Sequence, residues 1–179
     1  MRFSQYNKKS TLRNITLFVI IALESIAAHP SQAQQFGSRQ QRSDYERFEL
    51  LRPTNRDSAY HYAERIVNDI DSLATNSELA IVYDFMAEYA ETTLHSYGKS
   101  LEYRLQSARI YEALGNKPCL TRTNALLGRI YLRNGDYHNA FSYSTNALKE
   151  AKRTGDTTSM REAYLALEQV TYFYHNDIV

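Results

Sequence analysis

The chain has 179 residues, of which 43% are apolar and 23% charged, so it is long and apolar enough to form a folded domain. Its 21 Lys and Arg nearly balance 20 Asp and Glu, and the net charge of +1 gives no overall attraction to nucleic acid or to an anionic membrane. Six Gly and three Pro are too few for an all-β sandwich or barrel, and one Cys can form neither an internal disulfide nor a multi-cysteine zinc site.

Residues 1–33 have the pattern of a secretory signal peptide. Basic residues precede the first acid, Glu24, and an apolar run occupies 15–23. Ser31 and Ala33 then place small residues at the −3 and −1 positions of a cleavage site. The apolar run is about half as long as a membrane-spanning helix, which needs roughly 20 residues. We therefore predict export to the periplasm or cell envelope, with an uncleaved N-terminal anchor or a buried helix as the alternatives.

Residues 34–56 are predicted to form a polar linker that contains a short helix. The segment 34–44 is polar and has little apolar content, which is typical of a flexible lead-in. Ser43 and Glu46 have the spacing of a capping box, and Pro53 would end the helix that they start.

Residues 57–179 have the apolar spacing of helices. Asp57 is predicted to be an N-cap, because its carboxylate can accept hydrogen bonds from free backbone N–H groups. Apolar residues then recur every three or four positions. Thr75 and Glu78 have capping-box spacing before a second such stripe. The predicted fold class is all-α.

An internal repeat of 40 residues is the strongest signal in the chain. Pairs of matching residues at this spacing are Tyr97 and Tyr137, Tyr103 and Tyr143, Ala108 and Leu148, Gly115 and Gly155, and Leu127 and Leu167. Gly115 and Gly155 can take the left-handed conformation that ends a helix, and the polar residue after each can begin the next. A fixed period of this size is typical of an array of antiparallel helix pairs, an α-solenoid. A generic helical bundle would explain the composition but not the repeat.

One unit of this repeat resembles the tetratricopeptide repeat. The matching residues are Leu127, Gly128, Tyr131, Gly135, Asp136, Tyr137, Ala140, Ala147 and Leu148. The resemblance implies that two antiparallel helices cross closely at the small residues Gly128 and Ala140. Leu127 and Tyr131 would fill the space on either side, and Tyr137 and Ala147 would also pack within the repeat.

The unit departs from the family pattern at three positions. Asn124 stands where the family prefers Trp, Ser144 where it prefers an aromatic residue, and Lys152 where it prefers Pro. The period is 40 residues, where the family has about 34. The resemblance covers roughly 57–179 and implies a long-repeat variant of an exported bacterial type.

The last predicted helix has no partner helix within the sequence. It would leave apolar residues uncovered, namely Tyr164, Leu167, Val170, Phe173 and Tyr174. Terminal repeats normally carry a polar cap. We therefore expect that the chain is a fragment, or that this helix pairs with another chain, including a second copy.

The sequence contains no recognisable catalytic or metal-binding motif. None of its five His lies in a His-Glu-x-x-His arrangement, and it has no nucleophile elbow, phosphate-binding Gly loop or dinucleotide fingerprint. We predict that the protein is not an enzyme and uses no metal or cofactor. Cys119 is interpreted as a buried inert thiol, with an intermolecular disulfide or a reactive thiol as alternatives.

The tetratricopeptide resemblance also implies a binding groove, lined by outward positions of the first helix of each repeat. The equivalent residues are Arg122, Arg129 and Arg133 in the central helix, Phe85 and Tyr89 in the preceding one, and Gln169 and Tyr172 in the following one. The three arginines fall within about 40° on a helical wheel. Because guanidinium groups bind carboxylates in a bidentate manner, we predict an acidic peptide as ligand. Solvated arginines paired with nearby Glu are the alternative.

These observations favour an exported helical-repeat scaffold that binds another protein or peptide and makes no direct contact with nucleic acid. The alternative is the extracytoplasmic sensor part of a larger membrane-spanning regulator, a histidine kinase or a transcription regulator, that is truncated here. Membrane attachment would then come from a missing C-terminal part or from the uncleaved signal.

Overall fold

The computed structural model describes residues 38–69 and 75–176, with side chains described as far as Phe173. Seven helices account for 85% of the described residues, and no strand occurs among them. The predicted all-α class is therefore confirmed. The predicted signal peptide, 1–33, lies outside the described residues.

Each helix packs mainly on its neighbours in the chain. The helices are α1 (Arg39–Leu51), α2 (Arg56–Asn68), α3 (Ser77–Thr92), α4 (Tyr97–Ala113), α5 (Lys117–Arg133), α6 (Tyr137–Thr154) and α7 (Thr157–Asn176). The most extensive contacts are those of α3/α4, α5/α6 and α6/α7, followed by α1/α2 and α4/α5, and α7 also packs against α5. Within the described ranges, backbones approach closely only between helices one or two places apart in the chain. This is the contact pattern of an array of helix pairs, as predicted.

Glycine turns and polar caps mark the repeat boundaries. Gly115 and Gly155 have φ values of +65° and +73°, in the left-handed region. Asn116 and Asp156 follow them, and each side chain accepts a hydrogen bond from the backbone N–H three residues later. The predicted recurrence of turn and cap after 40 residues is therefore confirmed.

Helix α1 begins earlier than predicted. Ser38 and Gln41 form its capping box, with both reciprocal hydrogen bonds at 3.1 Å, so the predicted start at Ser43 is wrong. The Gln41 side chain also donates to the backbone carbonyl of Asp69 at 2.7 Å, which joins α1 to the end of α2. Much of the predicted linker, 34–56, is therefore a helix that packs on the array.

Two further caps differ from the predictions by one or two residues. Asn55 caps α2 by accepting from Ser58 N at 3.0 Å, and Asn76 caps α3 by accepting from Leu79 N at 2.7 Å. Asp57 lies inside α2, where its carboxylate is taken by another partner. Each helix starts where an Asn side chain can reach the free N–H groups, in place of the predicted Asp57 and Thr75.

The α5/α6 crossing contains the residues that carry the repeat resemblance. Leu127, Ala140 and Ala147 are buried, and Gly128 faces Ser144 so closely that a Cβ would overlap Ser144 Oγ. The same Cβ would lie 3.1 Å from Ser144 N, a backbone atom that cannot move aside easily. The two helices therefore need a residue without a side chain at this point.

Two aromatic stacks flank this crossing. Tyr131 stacks on Tyr143 with ring centroids 5.2 Å apart, and Tyr137 stacks on Phe173 of α7 at 5.1 Å. Val170 is fully buried beside Leu132. The expectation that Val170 stays uncovered is therefore wrong, because α5 and α6 together cover that face of α7.

Tyr164 of α7 is exposed, as is Phe173 in part. None of the helices in the described part of the chain combines the length and the hydropathy that a membrane crossing requires.

We expect Gly128→Ala to lower the free energy of unfolding by about 1–3 kcal/mol, because the added Cβ overlaps Ser144. Adding Ser144→Gly should recover part of that loss, since it removes the overlapping atoms. Gly98→Ala in α4 is the matched control, because its Cβ would meet nothing within 4 Å. Urea denaturation measures all the variants. An unfolding midpoint that Gly128→Ala leaves unchanged would contradict the close crossing.

Asp156 gives a pH-dependent test of the α7 cap. Its carboxylate accepts from Ser159 Oγ at 2.6 Å and from the N–H groups of Ser159 and Thr158, and these bonds lower its pKa in the folded chain. The cap is therefore fully stabilising above the unfolded pKa of about 4 and weakens as the pH falls through the lower folded pKa. We expect Asp156→Ala to cost about 1 kcal/mol at pH 7 and less below pH ~4, measured by urea denaturation. A cost that is the same at both pH values would argue against this cap.

Candidate functional site

A cavity of about 420 Å³ lies between α5 and α7. We call it the α5–α7 cavity. Its polar lining residues are Arg129, Arg133, Arg161, Glu162 and Gln169, and its apolar walls are Leu132, Leu165 and Ala166. Three of the predicted groove residues, Arg129, Arg133 and Gln169, therefore surround one cavity.

Arg129 is held by ion pairs on both sides. Its Nη2 lies 2.9 Å from Glu91 Oε1 on α3, and its Nη1 lies 3.2 Å from Glu162 Oε2 on α7. The two carboxylates are largely buried, with 18% and 13% of their side chains exposed. For Arg129 the alternative interpretation holds, because this arginine is paired with Glu residues. It joins three odd-numbered helices and is not free to bind a ligand.

Arg133 and Arg161 carry the accessible positive charge of the cavity. Arg133 is exposed in the last turn of α5, and no ion pair joins it to the residues that the structure describes. Arg161 is 68% exposed and lies 3.0 Å from Glu162 Oε1, a carboxylate that it shares with Arg129. The α5–α7 cavity therefore presents the unpaired guanidinium of Arg133 to solvent, beside its apolar walls.

Arg122 lies at a different cavity. That cavity has a volume of about 310 Å³ and is lined by α3, α4 and α5, and we call it the α3–α5 cavity. Arg122 lines it together with Arg52 and Arg104. The three arginines predicted to lie on one face of α5 thus line two separate cavities.

Phe85 and Tyr89 belong to the core, and the prediction that they line an open groove is wrong. They are 5% and 7% exposed. The Phe85 ring packs edge-on against Phe48 of α1 with centroids 5.2 Å apart. Tyr89 stacks on Tyr60 of α2 at 4.3 Å and donates a hydrogen bond of 2.7 Å to Asp57.

Their burial follows from the positions of α1 and α2. The sequence predicts a polar linker with a short helix before α2, whereas in the structure that helix packs on the array and its Phe48 is fully buried. Helices α1 and α2 thus cover the side of α3 that would otherwise be open.

The residues on α7 differ in their position relative to the α5–α7 cavity. Gln169 lines it, while Tyr172 is 65% exposed and lies outside the lining. Arg161 and Leu165 were missed by the sequence analysis. Arg161 lies two turns and Leu165 one turn before Gln169 on the same side of α7, so a helical wheel that includes Gln169 would have found them.

No group of three His, Cys, Asp or Glu side chains within 38–69 and 75–176 is arranged to hold a metal ion. Comparison with known proteins matches the chain to no family model, no curated protein and no solved structure. Function therefore has to be inferred from the geometry of the α5–α7 cavity and its neighbours.

We expect Arg129→Gln to lower the free energy of unfolding by about 1–3 kcal/mol, because largely buried Glu91 loses its cation and Glu162 keeps only the exposed Arg161. Arg133→Gln removes the same charge from the same helix and should change stability by less than about 0.5 kcal/mol. Urea denaturation compares the two variants. Equal effects would mean that the ion pairs of Arg129 do not hold the array together.

Proposed function

We propose that this protein is an exported scaffold of the tetratricopeptide-repeat kind, with repeats of about 40 residues, which binds an acidic segment of another protein at the α5–α7 cavity. The repeat assignment is supported by the close crossing at Gly128, the glycine turns and the packing of α7 on both α5 and α6. Export is supported by the residue pattern of 1–33, and it would place the partner in the periplasm or cell envelope.

The observation that carries this proposal is the unpaired guanidinium of Arg133 at the edge of a cavity with apolar walls. A guanidinium binds a carboxylate through two parallel hydrogen bonds, which sets the orientation of the ligand. Because Glu91 and Glu162 already neutralise Arg129, the ligand's carboxylate would bind Arg133, with Arg161 close to the same opening.

The surface beside the cavity favours a peptide over an isolated anion. Leu165 is an apolar lining residue that is itself partly exposed, and Tyr172 is exposed on the same helix. Aromatic and aliphatic residues supply most of the affinity in such interfaces, while charged groups at the edge supply orientation. We therefore expect a ligand segment in which Asp or Glu lies close to a large apolar residue.

Selection from a random peptide library on the purified protein tests this expectation. Enriched peptides should contain Asp or Glu next to Leu, Phe or Tyr. Fluorescence anisotropy with one such peptide should show binding that weakens as salt concentration rises, since the contact is partly ionic. The double variant Arg133→Glu, Arg161→Glu should weaken binding by at least about tenfold.

The control is a charge reversal of equal size on the even-numbered helices, Lys99→Glu with Lys149→Glu. Both lysines are exposed, on α4 and α6. This variant should bind the peptide as the parent protein does, and circular dichroism should show equal helicity for all forms. Enrichment of neutral or basic peptides, or equal loss in both double variants, would show that the α5–α7 cavity does not recognise an acidic segment.

A further inference from the structure

The α3–α5 cavity is a second built site, separate from the proposed peptide site. Its volume is about 310 Å³, at the lower end of the range for small-molecule pockets. Three arginines from different parts of the chain line it: Arg52 just after α1, Arg104 on α4 and Arg122 on α5. Its carboxylates are Asp84 and Glu88, both on α3.

Buried Arg104 and half-buried Asp84 form an ion pair in the lining of this cavity. Asp84 Oδ1 accepts from Arg104 Nη1 at 2.7 Å, and Asp84 Oδ2 accepts from Tyr111 Oη at 2.9 Å. Only 7% of the Arg104 side chain is exposed, and its buried Nε–H has no acceptor among the described residues. Both oxygens of Asp84 are thus occupied, while Arg104 retains a donor without a partner.

The other charged groups of the lining are unequally paired. Glu88 accepts from Arg56 Nη1 at 3.1 Å, and Arg52 lies 3.3 Å from Glu49. Arg122 is exposed and forms no ion pair or hydrogen bond with any residue that the structure describes. Its charge contributes to the lowered pKa of Asp156, but that carboxylate is held mainly by Ser159. Each carboxylate of the cavity therefore has a cation, whereas one guanidinium is left over.

We propose that the α3–α5 cavity binds a small organic carboxylate. Arg122 binds the carboxylate, and Arg104, which also lines the cavity, keeps an Nε–H donor without an acceptor. Ile81 and Leu126 provide apolar walls for the body of the ligand. These walls favour an organic acid over a bare inorganic oxyanion, which would leave them in contact with water.

Cys119 provides a reporter within the same cavity. It lines the α3–α5 cavity, it is partly exposed, and it is the only cysteine in the sequence. The rate of its alkylation by iodoacetamide is therefore a measure of occupancy at one defined position. The probes are hexanoate, its neutral analogue hexanamide, and inorganic phosphate.

We expect hexanoate to slow alkylation in a saturable manner, and hexanamide and phosphate to require at least about tenfold higher concentrations for the same effect. Arg122→Gln should raise the hexanoate concentration needed by at least about tenfold. Arg47→Gln, the same change of charge at an exposed arginine of α1 that lines neither cavity, is the matched control and should leave that concentration unchanged. For each variant, the rate of Cys119 alkylation with ligand is compared with the rate without ligand, so a change in intrinsic thiol reactivity does not affect the result.

Three outcomes would overturn the proposal. Hexanoate that does not slow alkylation means that the cavity binds no such acid. Phosphate that acts as well as hexanoate means a site for any oxyanion. Equal weakening by Arg122→Gln and Arg47→Gln means a general effect of charge, with no specific site at Arg122. All three are independent of peptide binding at the α5–α7 cavity.

Discussion

The guanidinium of Arg129 is the contact on which the odd-numbered helices depend. It lies between Glu91 of α3 and Glu162 of α7, at 2.9 and 3.2 Å, so one side chain joins α3, α5 and α7, which are alternate helices of the array. The carboxylates are largely removed from water, and such groups are stable only when a cation remains beside them. The spacing of α3, α5 and α7 is therefore set by one ionic cluster as well as by apolar packing. The α5–α7 cavity lies next to this cluster.

The features that depend on local sequence were predictable. Gly115 and Gly155 end helices because a left-handed residue is required there, and their polar successors cap the next helix. These effects act within a few residues, so the recurrence of a Gly followed by a polar residue can be recognised from the sequence alone. Cap positions near Asp57 and Thr75 were wrong by one or two residues, because neighbouring Asn side chains compete for the same N–H groups.

The candidate site was less predictable, because it depends on contacts between residues far apart in the chain. A helical wheel places Arg129 and Arg133 on one face of α5, but it does not show that Arg129 meets partners 38 residues before it and 33 after it. Phe85 and Tyr89 were assigned to an open groove for a similar reason. The burial of Phe85 depends on α1, whose polar sequence gives little sign that Phe48 packs against it, and Tyr89 is covered by Tyr60 of α2.

The two cavities divide paired and unpaired arginines in the same way. The α3–α5 cavity has the ion pair of buried Arg104 and half-buried Asp84, and the α5–α7 cavity has Arg129 with its two Glu partners. Beside each lies an exposed arginine without an ion pair in the described chain, Arg122 or Arg133. The paired arginines are costly to change, since removing one leaves a carboxylate that is partly or largely shielded from water without that cation. The exposed arginines carry no such penalty, so the ligand preference of each cavity can change while the fold that surrounds it is preserved.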